Sequence, residues 1–105
     1  MAIAVQSKQD ILTRLRGQEA ELRSLGVRRL GLFGSFVREE QTRESDVDVL
    51  VEFQPGAKSF DSYMRIAFLL EDVLQRPVEL VTTEALSPHL GPRILREVED
   101  VLAVI

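Results

Sequence analysis

The chain has 105 residues, 45% of them hydrophobic, with 13 basic residues against 17 acidic ones and a formal net charge of −4. That length sets the expectation of one domain, residues 1–105, built on one core. The acidic balance argues against direct nucleic-acid binding, and no apolar run approaches the ~20 residues of a membrane span. The lack of cysteine excludes disulfides and thiolate metal sites, and fits a cytoplasmic protein.

Taken in order, Ser7-Lys8-Gln9-Asp10 predicts a helix start, with Ser7 as the N-cap and Asp10 near the positive end of the dipole. Ile11, Leu15, Leu22 and Leu25 then recur at helical spacing, Gly17 allows a bend, and Gly26 stops the helix. Arg28 to Phe33 reads as a first strand, broken at Gly34-Ser35, where a short helix from Ser35 to Glu40 begins. A polar loop from Gln41 to Ser45 leads to a second strand, Asp46 to Phe53, ended by the turn signal Gln54-Pro55-Gly56.

Ser59 can cap the next helix, whose apolar face is traced by Phe60, Tyr63, Ile66, Ala67, Leu70, Val73 and Leu74. Tyr63 belongs to that face as a core residue. Pro77 ends the segment and Val78 to Val81 forms a third short strand. After Pro88 and Pro92, the residues Ile94, Leu95, Val98, Val101 and Leu102 predict a last helix. His89 reads as ordinary surface. Three strands alternating with four helices imply an α/β (α+β) fold, a small mixed sheet flanked by helices.

Two short stretches carry chemistry. Side chains alternate along a strand, so Asp46 and Asp48 project from one face while Val47 points to the other. Like charges so placed repel unless a cation lies between them, and Mg²⁺ takes one or two carboxylates together with phosphate oxygens. Gly34-Ser35 admits two compatible readings. It is a strand-to-helix turn with Ser35 as N-cap, or the same turn offering N–H groups and a hydroxyl to a phosphate. Arg38, one turn on, either reaches that phosphate or pairs with a neighbouring carboxylate in solvent.

Joined by their loop, Gly34-Ser35 and Ser45-Asp46-Val47-Asp48 resemble the motif of the nucleotidyltransferase superfamily that includes DNA polymerase beta. The chain looks most like its minimal members, which are little more than the catalytic core. The resemblance runs from about Asp10 to Val101 and implies a polymerase beta-like fold. It implies two Mg²⁺ ions held by Asp46 and Asp48, with ATP as donor and its phosphates near Gly34, Ser35, Arg38 and Ser45. In such proteins a third carboxylate, usually Asp, stands in the strand where this chain has Glu79. A Gly commonly follows the Arg of the Gly-Ser helix, and here Glu39 does.

The same kinship implies an antitoxin that transfers AMP to a tyrosine hydroxyl of a HEPN RNase toxin within a hetero-oligomer. The alternative is an antitoxin that masks its toxin by binding alone. Transfer to a small molecule is disfavoured by the short chain, which leaves no further domain to hold the acceptor.

Overall fold

A computed structural model of the chain describes residues 3–104. Ser7 caps the first helix as the sequence predicts, its side chain accepting the Asp10 N–H, and α1 runs over Lys8–Arg16. The expected single helix is in fact two: at Gly17-Gln18 the chain turns and α2, Glu19–Ser24, restarts. Ile11, Leu15 and Leu22 are all fully buried, so the break keeps both apolar stripes on the core. Gly26, at φ 97°, then turns the chain into β1, Val27–Phe33.

The helix after Gly34 is a single turn, α3, Ser35–Arg38, and it stops short of Glu40 because Glu39 adopts a left-handed conformation at φ 58°. This explains why glycine suits the position: a Cβ in that region costs about 1–2 kcal/mol. β2, Val47–Phe53, follows the polar loop, and α4, Phe60–Leu74, is opened by a capping box between Ser59 and Ser62. Phe60 departs from the predicted apolar face. It sits in the first turn, 81% exposed, while Ile66, Leu70 and Leu74 carry the buried stripe. Tyr63 packs against the core, its hydroxyl donating to the Leu80 carbonyl at 2.6 Å.

β3, Val78–Thr82, leads through a 3₁₀ turn at Thr83–Ala85 to α5, Gly91–Glu97. The predicted last helix ends there. Val98 turns extended, and Glu99–Leu102 forms a fourth strand, β4. Val98, Val101 and Leu102 have i, i+3, i+4 spacing, which suits a helix equally well in isolation. The deciding factor is tertiary: β1 has a free edge, and β4 fills it antiparallel, pairing Leu30 with Leu102, with Arg29 bridging to Asp100 at 2.7 Å.

The sheet order is β3-β2-β1-β4, with β1 antiparallel to both neighbours and β2 parallel to β3, an α/β arrangement with a mixed sheet. Register sorts its residues into two faces. Leu32, Val49 and Leu80 stand in one row, and Leu30 and Val51 in the next, all buried against the helical stripes of α1, α2 and α4. The opposite face carries Phe33, Asp48 and Glu79 in one row, with Gly31, Leu50 and Val81 behind. Part of this second face is roofed by the segment before β4. Gly31 makes room for it, since a Cβ there would overlap the Val98 side chain. Among the described residues no helix is long and apolar enough to cross a membrane.

Candidate active site

The row Phe33–Asp48–Glu79 lies at one end of the sheet, where β1 leaves and β2 and β3 enter. Asp48 and Glu79 are register partners on adjacent parallel strands, so the two carboxylates leave the same face one strand spacing apart. Sequence spacing alone could not reveal this pairing. Asp46 is exposed and lies one residue ahead of the first residue of β2, where the sequence reading had started the strand. Its charge nevertheless reaches Asp48.

Burial and these neighbours together push Asp48 up to about 6 from the usual 3.8. Burial contributes most, followed by the hydrogen bond with Glu79 and the charges of Glu79 and then Asp46, while Arg38 pulls the other way. The site therefore concentrates negative charge that Arg38 only partly offsets.

Gly34 is built against this cluster. It has φ 81°, and a Cβ at that point would overlap Asp48 Oδ2 and lie 2.8 Å from Cγ. Only glycine lets the β1–α3 corner close onto the carboxylate. The corner brings Ser35 with it, but Gly34 occupies the N-cap position, and Ser35 is the first residue of the helix rather than its cap. Its hydroxyl is thus not spent on closing the helix. As at any helix start, the first N–H groups of α3 have no partner within the helix.

The remaining predicted residues are engaged by the protein. Arg38 pairs with Glu40 and with Glu97 of α5, as its carboxylate reading expects. The Ser45 hydroxyl accepts the Thr42 N–H at 2.8 Å, closing the loop before Asp46. Sequence reasoning missed the apolar partners of the carboxylates. A cleft of about 340 Å³ is lined by Asp48 and Glu79 on one side and by Phe33, Val81, Leu86, Leu90 and Ile94 among others. Leu86 and Leu90 lie in an irregular segment without periodicity, so no pattern in the sequence singled them out.

An all-carboxylate donor set suits a hard cation such as Mg²⁺, and a cation here would relieve the repulsion that raises Asp48. Among the described residues no group of three potential metal-binding side chains closes into a cage. Two carboxylates completed by phosphate oxygens is the mode Mg²⁺ adopts with nucleotides, so the residues fit the ion.

Comparison with known proteins bears on the same residues. Residues 15–101 match a family model described as a nucleotidyltransferase domain. A relative from Methanocaldococcus jannaschii is 46% identical over 77 residues, 73% of this chain and 82% of its own length. The protein adenylyltransferase MntA of Thermococcus cleftensis is 36% identical over 97 residues, covering 91% of this chain and 97% of its own. A toxin–antitoxin complex solved with AMP-PNP superposes with a TM-score of 0.71 at 21% identity, over 89% of this chain and 73% of that one. At that identity the likeness is one of fold.

Proposed function

The chain belongs to the nucleotidyltransferase domain family, and from that premise we propose that it is an Mg²⁺-dependent protein adenylyltransferase. In this reading it acts in the cytoplasm, with the whole chain as one catalytic domain. It transfers AMP from ATP to a tyrosine hydroxyl of a HEPN RNase toxin and so works as the toxin's antitoxin within a hetero-oligomer. One observation carries the reading: Asp48 and Glu79 are paired across strands, with Gly34 closed onto Asp48 so that the Gly-Ser corner abuts the carboxylates. The name of the Thermococcus relative supports the adenylyl group, and the fold shared with a toxin–antitoxin complex supports the partner class.

In chemical terms, the acceptor oxygen bonds to the α-phosphorus while the bond from that phosphorus to the α–β bridging oxygen breaks. Pyrophosphate leaves with the electron pair, and the hydroxyl proton passes to a site carboxylate, for which Glu79 on the outer strand is the candidate. Asp46 and Asp48 would hold the two Mg²⁺ ions, with Glu79 a further ligand. Bound there, Mg²⁺ supplies charge neutralisation of the triphosphate and activation of the hydroxyl. Gly34 and Ser35 receive the terminal phosphates. The apolar lining from Phe33, Leu86 and Ile94 narrows the access of water on one side of the carboxylates, which are themselves partly open to solvent.

One observation favours masking without chemistry: Arg38 is held by Glu40 and Glu97 rather than free for phosphate. The test for both readings is intact mass spectrometry of a candidate HEPN toxin partner after incubation with this chain, ATP and Mg²⁺. Whole AMP increments, lost in Asp46→Ala/Asp48→Ala, support transfer. An unmodified toxin in a tight complex supports masking.

A further inference from the structure

The loop from Gln41 to Ser45 must deliver Asp46 to the site, yet it is irregular and has few backbone partners of its own. One side chain from outside supplies them. Arg76 lies in the turn between α4 and β3. Its Nε donates to the Val5 carbonyl at 2.6 Å. Its Nη1 is within hydrogen-bonding distance of the carbonyls of Thr42 at 3.1 Å, Arg43 at 3.0 Å and Ser45 at 3.0 Å. The centre of the guanidinium also sits 5.1 Å from the ring centroid of Phe36, a fully buried residue adjacent to Ser35 in α3. A single group therefore touches both halves of the site, the Gly-Ser corner through Phe36 and the approach to Asp46 through three carbonyls.

We propose that Arg76 is a positioning residue that fixes the Gly34-Ser35 corner relative to Asp46 and Asp48. The proposal rests on the nucleotidyl-transfer reading of that site. Lysine could not take its place, because the arrangement uses both a planar fork of donors and a flat face stacked on an aromatic ring. All of these hydrogen bonds go to backbone carbonyls and none to a carboxylate, so the contact is directed at loop geometry rather than at charge balance.

Arg76 also lines an open cleft of about 780 Å³ together with Gln41, Thr42 and Ser45. Small ions can therefore reach the space left by Arg76→Ala, which permits a chemical rescue. The experiment compares the wild-type chain, Arg76→Ala and Arg76→Lys by thermal melting, by amide chemical shifts and by Mn²⁺ titration followed by electron paramagnetic resonance. In folded Arg76→Ala the amides of Ser35, Asp46 and Asp48 shift and Mn²⁺ affinity falls by roughly 10- to 100-fold, on the scale by which groups that orient metal ligands tune affinity. Millimolar guanidinium chloride restores the affinity and sodium chloride of equal ionic strength does not, whereas a loss of bulk stability would be worsened by guanidinium. Arg76→Lys stays folded and recovers only part of the affinity.

Wild-type Mn²⁺ affinity and unmoved shifts in either folded variant overturn the proposal, as does failure of guanidinium to outperform sodium. Should Arg76→Ala not fold, Arg76→Lys decides by the same two readouts. A wild-type chain that binds no Mn²⁺ would overturn the transfer reading instead, and the amide shifts would still decide the role of Arg76.

Discussion

Replacing Asp48 by Asn removes one charge from the carboxylate cluster while keeping the shape and the capacity to hydrogen-bond Glu79. Asp48 titrates near 6 instead of 3.8 because burial and then Glu79 and Asp46 disfavour its ionised form. Taken in full, a displacement of that size is worth about 3 kcal/mol at roughly 1.36 kcal/mol per pH unit. The carboxyl is partly open to solvent, which screens its neighbours, so the effect is discounted to about 1 kcal/mol. Since the folded pKa is raised, the native state holds its proton more tightly than the unfolded chain does. The associated stability is fully present below the unfolded value of 3.8 and is lost as pH rises through about 6. Asp48→Asn is therefore more stable than wild type at pH ~7.5, by several degrees in Tm for a chain of this size. Its advantage shrinks as pH falls through the window between the two pKa values. Added Mg²⁺ reverses the order, because the ion stabilises only the chain that binds it. Urea denaturation at neutral and acid pH, with and without Mg²⁺, measures all of this. An advantage that does not change with pH, or a loss of stability at neutral pH, would refute the electrostatic reasoning.

Further outcomes follow from the same geometry. Glu39→Gly relieves the left-handed residue that ends α3 and raises stability by about 0.5–1 kcal/mol in urea titrations, after the entropy cost of glycine is deducted. Gly34→Ala forces a Cβ into the Asp48 carboxylate at a positive φ, so AMP transfer falls by at least ~100-fold while circular dichroism still reports a folded chain. Glu97→Gln loosens the hold on Arg38 and tightens ATP binding in isothermal titration by about 3-fold, within the usual worth of a partly exposed ion pair. An unchanged ATP affinity would mean that Arg38 does not meet the nucleotide.

Much of the frame was legible because its signals are local. Ser7 and Ser59 cap helices through side-chain geometry that their own neighbours define. Gly34 marks the corner because a positive φ beside a carboxylate admits nothing larger. The hidden parts depend on partners distant in sequence. β4 was read as helix because Val98, Val101 and Leu102 satisfy helical spacing, and only the open edge of β1 makes them a strand. Glu79 was legible only through family likeness, since no spacing reveals its register opposite Asp48. Arg76 carried no periodic signal, as its partners are carbonyls of residues 31 to 71 positions away in the chain. Phe60 satisfied the apolar period of α4 but sits in its first turn, beyond the reach of the sheet.

The most direct test is paramagnetic broadening of the amide spectrum by substoichiometric Mn²⁺ in the presence of a non-hydrolysable ATP analogue. Loss of signal centred on Gly34, Ser35, Asp46 to Asp48 and Glu79 is the expected result, since these groups are held to meet one nucleotide and its metal ions. Broadening centred on other acidic surface, such as Glu71 and Asp72 on α4, would contradict it.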